Sequence, residues 1–191
     1  TLLAALKHLG VVEIDLTKTY SAQEIITIVV KALGYEKAAL RNNFQHPYES
    51  VTDEYDPYVG YAYATWLLTG FYPDELKAED EADDAMLTAM LLRALGYKDY
   101  GNEAADFNKE NMYEIAGELG ISKEDSDYPV RGDDLVNMLW AALNSKMKDA
   151  EDQDQTLMDD MEDRDVISSR DIRHAREEIE EATEPKDDSD G

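Results

Sequence analysis

Residues 21–35 read SAQEIITIVVKALGY, and residues 83–97 read DDAMLTAMLLRALGY. Alone, the first stretch is ambiguous, because IITIVV is rich in β-branched residues and would also suit a buried strand. The second resolves it. It closes on RALGY where the first closes on KALGY, and its interior MLTAMLL is built from good helix formers. A third run, RGDDLVNMLWAALN at 131–144, has the same shape. All three are read as helices. Ser21 and Glu24 form an S-x-x-E capping box, in which the hydroxyl bonds the third amide and the carboxylate returns to the first. Gly34 and Gly96 suit a left-handed C-terminal position, and Asn144 is the next-best residue for it. Asp133 or Asp134 is the simplest cap for the third helix.

A shorter apolar run precedes each long helix: LLAALKHLG ending at Gly10, YAYATWLLTG ending at Gly70, and MYEIAGELG ending at Gly120. Val11, Phe71 and Ile121 follow these glycines. The repeating unit is a helix, a Gly-apolar turn, a loop of about ten residues and a second helix. Its three copies span about 1–45, 56–100 and 107–148. Segments 36–55 and 98–106, with Pro47, Gly101 and many polar residues, read as connectors. One such pair cannot bury its apolar faces alone, but three packed together can. The expected fold is all-α, a closed bundle of three tandem helix–loop–helix modules.

The chain has 191 residues, 44 of them acidic against 18 basic, for a net charge of -26. That charge repels phosphate backbones, so nucleic acid is excluded as a partner. No run approaches the length of apolar sequence a membrane span needs. Cysteine is absent, which removes disulfides, thiol nucleophiles and thiolate metal sites. The chain starts at Thr1 and reads as a mature or excised part of something longer. Residues 149–191 hold 18 acidic and 5 basic side chains and no aromatic residue. They read as an acidic extension, partly a solvated helix (Ile167, Ile172, Ala175 and Ile179 near helical spacing, Arg173 and Glu177 paired) and then a disordered end.

The three modules together resemble the S-layer homology (SLH) domain, a tandem of three modules found on bacterial surface proteins. The resemblance covers residues 1–148. It rests on the helix followed by LG-apolar, the short loop, and the helix ending RALGY or KALGY. PVRGDDLVNMLWAAL looks like that family's Thr-Arg-Ala-Glu or Thr-Arg-Asp-Asp helix start. DPYVGYAYATWLLTGF looks like its first helix, with Tyr58 where a tryptophan usually stands. The resemblance implies a pseudo-three-fold bundle with the longer helices packed centrally. It also implies non-covalent anchoring of an exported protein to the cell wall, through secondary cell-wall polysaccharide, often pyruvylated, bound in grooves between modules. Contacts would come from the Thr-Arg-Ala-Glu segments and a groove aromatic, here Arg131, Asp133, Ser21, Glu24 and Tyr58. An arginine fork suits a pyruvate carboxylate, and a helix N-terminus offers amides and a positive dipole.

The motif varies between modules. Ala22 fills the arginine position of the first, 83–86 in the second keeps neither Thr, Arg nor Glu, and the third has Val130 for Thr with Gly132 inserted. Each candidate also has a plainer reading. Ser21 and Glu24 suffice as a cap, Arg131 can pair with Asp133 or Asp134, and Tyr58 can pack with Tyr61, Tyr63 and Trp66. Trp140 reads as core. His8, His46 and His174 are scattered, with no second histidine at ligand spacing. The acidic clusters at 79–84 and 159–163 lack an EF-hand register, so loose calcium association is the most they suggest, and no cofactor is expected. No catalytic signature is present, and the chain reads as a non-enzyme. The alternative function is protein–protein assembly within a surface layer or filament, including homo-assembly, by a tandem whose sugar motifs have degenerated.

Overall fold

The computed structural model describes residues 1–11, 13–68, 75–99, 105–122 and 128–183. Among the described residues are nine helices and no strand: α1 (Leu2–His8), α2 (Ala22–Ala32), α3 (Glu36–Arg41), α4 (Asp56–Ala64), α5 (Asp84–Ala94), α6 (Met112–Glu118), α7 (Gly132–Leu143), α8 (Leu157–Asp163) and α9 (Ser169–Thr183). The all-α class expected from the sequence is the one observed. The disputed IITIVV run lies inside α2, where Ile25, Ile26, Val29 and Val30 are fully buried. Burial of that face outweighs the modest helix propensity of its β-branched residues.

The starts of α2, α5 and α7 meet in a ring of backbone hydrogen bonds. The Tyr20 amide donates to the Val130 carbonyl (3.2 Å), that of Val130 to Ala82 (2.9 Å), and that of Ala82 to Tyr20 (2.9 Å). Each is the residue just before a helix cap. One step on, the first amide of each helix reaches the next loop: Ala22 to Asp80, Asp84 to Tyr128, and Gly132 to Lys18, at 2.9, 3.2 and 2.9 Å. The orphan donors of a helix start are thus met by a neighbouring loop, and the same solution occurs three times round the ring.

The shorter helices pack outside it. α4 lies against α2 and α3, α6 against α5, and α1 against α7 and α9. Each first helix therefore rests on the long helix of the preceding unit, and α1 closes the circle on the last. The acidic extension takes part. Met158, Met161 and Ala175 are fully buried, and Ile167 and Ile172 nearly so, in the same apolar core as α2, α5 and α7. The expectation of a solvated helix is corrected, since α9 has one apolar face and α1 supplies the surface that covers it. Residues 184–191, expected to be disordered, lie outside the described residues.

Several local expectations change. Part of the first connector is helical, as α3. Glu24 does not return to the Ser21 amide; its carboxylate accepts from the Ser21 hydroxyl at 3.1 Å and pairs with Lys18 at 3.2 Å. Arg131, not Asp133 or Asp134, holds the cap position of α7, and Asp134 accepts from its amide at 3.0 Å. Gly34 and Gly96 are left-handed (φ 82° and 94°), but Asn144 is not (φ -92°). The Asn144 and Ser145 side chains instead bond the carbonyls of Trp140 and Ala141.

The first helix of the second unit ends early. After α1 and α6 the left-handed residue is Gly10 or Gly120. After α4 the same place, two beyond the last helical residue, is held by Trp66 with φ 64°. The expected Gly70–Phe71 turn lies outside the described residues.

Candidate functional site

Glu24, one of the five groove candidates, lines a groove of about 230 Å³ along α2. Thr27, Ile28, Lys31 and Ala32 follow it along the helix face; Val11, Glu13 and Tyr55 form the other walls. The helical period puts Glu24, Thr27, Ile28 and Lys31 on one stripe, because residues three and four apart stand above one another. The groove is thus walled by the first long helix, the chain that leads to it, and the turn opening α4.

Its chemistry is mixed. The Lys18 ammonium pairs with Glu24 at the rim, and that hydrogen bond and charge hold its pKa above the ordinary value. Lys31 lies 5.0 Å from the centre of the Tyr58 ring. Burial raises the Tyr55 phenol above its usual pKa, and the carboxylates of Glu54 and Glu24 push the same way, so it remains a donor. Thr27 is 6% exposed, and its hydroxyl has no hydrogen-bond partner. A buried hydroxyl left unmatched is costly, and this one belongs to a residue of the groove wall with its oxygen itself buried.

The other candidates sit elsewhere or act differently. Ser21 caps α2, accepting from the Glu24 amide at 3.3 Å. Tyr58 is buried, 8% exposed, and reaches the groove only through Lys31. Arg131 and Asp133 are half-exposed at the ring end of the bundle and face each other at 3.5 Å. Neither lines the α2 groove. The amides expected to be free at the start of α7 are occupied, since Gly132 donates to Lys18 and Asp133 to Leu16. Ala22, in the arginine position, is buried with its amide on Asp80, and the cation among the described lining residues of this groove is Lys31.

Sequence reasoning did not single out Thr27, Lys31 or Tyr55. The stripe through Glu24 at intervals of three and four could have found the first two; Tyr55 is brought in only by the fold. The histidines were read as scattered, yet docking of α9 on α1 sets His8 and His174 edge to face at 5.5 Å, with His8 3.1 Å from Glu178. Among the described residues, no three His, Asp or Glu side chains group as a metal site. The acidic clusters have structural partners: Asp83 caps α5, Asp159 caps α8 with Thr156, and Asp160 pairs with Arg164 at 2.9 Å. No described helix is long and apolar enough to cross a membrane.

No family model and no solved structure matches the chain. A curated relative, the "Middle cell wall protein" of Brevibacillus brevis, is 29% identical over 136 residues, a stretch that is 69% of this chain. The chain spans 12% of that relative's length, so its similarity is to one part of a much larger protein of the cell wall.

Proposed function

We propose that this chain is a wall-anchoring module that holds a larger exported protein on the bacterial cell surface by binding an anionic wall polysaccharide in the α2 groove. The observation that carries the reading is the groove itself. Lys31, Tyr55 and Glu24, with apolar Val11 and Ile28, line a space that fits a sugar residue. Lys31, 4.0 Å from Glu36 and a third exposed, is the counter-charge on this wall that a ligand carboxylate would share. The SLH-like repeat and the similarity to part of a cell-wall protein support the same reading. Arg131 would act as a secondary contact at the ring end. No catalytic role is proposed.

Co-sedimentation with purified wall sacculi, before and after acid extraction of the secondary polymer, tests it. Binding to intact sacculi should vanish on extraction and fall about tenfold in Lys31→Ala, the loss of one charge-assisted contact. Absence of binding to either preparation removes the anchoring role and favours the assembly alternative. Its signature would be concentration-dependent association in the ultracentrifuge.

A further inference from the structure

The endings KALGY and RALGY give α2 and α5 the same C-terminal feature. Each has a left-handed glycine, Gly34 or Gly96, followed by a tyrosine, Tyr35 or Tyr97. A helix end presents carbonyls without partners and carries partial negative charge, so a cation suits it. The face of a neighbouring tyrosine ring adds to that attraction. Glycine, with no β-carbon, leaves room for another segment to lie across the end.

Both ends are occupied, and in the same way. At α2, the Arg164 guanidinium lies 4.5 Å from the centre of the Tyr35 ring and donates to the Leu33 carbonyl at 3.1 Å. Val166 covers Gly34 so closely that an added β-carbon would collide with its methyl groups. At α5, the Lys148 ammonium lies 5.8 Å from the centre of the Tyr97 ring, and the Lys148 amide donates to the Leu95 carbonyl at 2.8 Å. A β-carbon on Gly96 would stand 3.3 Å from the Lys148 carbonyl oxygen. Each basic residue is followed by a left-handed aspartate, Asp149 or Asp165, with φ 58° in both. Each cation is braced by a further aspartate, Lys148 by Asp106 at 3.1 Å and Arg164 by Asp160 at 2.9 Å. The end of α7 has no Gly-Tyr pair, and there the Asn144 and Ser145 side chains bond the carbonyls.

We propose that the LGY ends of α2 and α5 are paired sockets for a basic–aspartate dipeptide, and that residues 148–183 are a strap fastened in them, able to open as a unit while the ring of α2, α5 and α7 stays closed. The strap is strongly acidic, yet Lys148 and Arg164 are what fasten it. It joins the end of α5 to the end of α2 and then lays α9 on α1. The backbone bonds of the ring lie within residues 16–22, 80–84 and 128–133, so release of the strap breaks none of them. Segments that open ahead of the rest in this way are a general property of folded chains.

Hydrogen exchange in the 191-residue chain, read helix by helix, tests the proposal. Arg164→Ala should speed exchange in α8 and α9 about tenfold or more, the loss of one charge-assisted contact, with α2, α5 and α7 unchanged. Arg164→Lys keeps a charge near Tyr35 but not the planar fork, and should fall between. The Gly34 contact gives a reversal of sign. Val166→Ala should speed exchange of α9 in the natural chain, where it removes a contact. In a Gly34→Ala background it should slow that exchange, where it removes a collision. The left-handed strain of Ala at position 34 is common to both members of the second comparison and cancels. Unchanged exchange of α8 and α9 in Arg164→Ala, equal acceleration in α2, α5 and α7, or Val166→Ala acting in the same direction in both backgrounds would overturn the proposal.

Discussion

Gly132 lies with its α-carbon against the Asp15 carbonyl, so close that an added β-carbon would stand 1.9 Å from that oxygen. The contact is where the last long helix joins the loop of the first unit, and it shares the ring end with the Gly132-to-Lys18 and Asp133-to-Leu16 hydrogen bonds. The glycine that looked like an insertion in the sequence motif stands at the first helical position, as Ala22 and Asp84 do in α2 and α5, and lets the start of α7 meet this loop without a collision.

Gly132→Ala should therefore open the ring. The obstruction is backbone, which cannot swing aside as a side chain would, so we expect a loss of about 3 kcal/mol, the upper end for overpacking. At this chain length that lowers the melting temperature by roughly 6–12 °C. Thermal denaturation followed by circular dichroism decides it; an unchanged melt would mean that the closure of α7 onto the first loop contributes little.

The left-handed backbone at Trp66 makes a second forecast. Replacing it by glycine and by alanine removes the same indole, but only alanine keeps the steric conflict. Trp66→Gly should be more stable than Trp66→Ala by about 1 kcal/mol, the cost of a left-handed residue with a β-carbon. Equal urea midpoints for the two variants would show that the strain is relieved by backbone movement.

The docked extension makes a third. Ile172 on α9 is 5% exposed, against α1. Ile172→Ala should cost about 3 kcal/mol and speed hydrogen exchange in α1 and α9 ahead of α2 and α5. A solvated helix would show neither effect.

The Tyr61 phenol is pushed up to about 12, chiefly by burial, with Tyr35 adding to the shift and Arg164 opposing it. An unfolded chain would ionise this group near the ordinary value of 10.0. Between those values the unfolded state releases a proton that the folded state keeps, so stability falls as pH rises through that window. Absorbance titration at alkaline pH should show a late tyrosine step that is missing in Tyr61→Phe.

A buried ion pair gives a fifth expectation. Arg93 and Asp99 meet at 2.6 Å with side chains 5% and 1% exposed, and Arg93 also bonds the Leu67 carbonyl. Asp99→Ala takes the buried counter-charge from that guanidinium and should cost about 3–5 kcal/mol. Arg93→Met, which removes the charge too, should cost less. The reverse order in chemical denaturation would place the stabilising contact at Leu67.

The helices and their central burial were legible in the sequence because each long run repeats the same apolar period and the same ending, as KALGY and RALGY show. Local signals also placed Ser21 as a cap and Gly34 and Gly96 as helix ends, since these depend on a few adjacent residues. The tertiary structure decided what crosses from one unit to another. Tyr20, Ala82 and Val130 are unlike in sequence, yet they share one ring because each sits just before a helix start and offers only backbone. Arg131 was chosen for its charge, but its position at the ring end and its Asp133 partner are set by that closure. Thr27, Lys31 and Tyr55 form a groove only once α4 is laid on α2, and Trp66 becomes a left-handed, exposed residue only where α4 stops. Periodicity along one helix encodes which face is buried, whereas which surface covers it is a property of the whole chain.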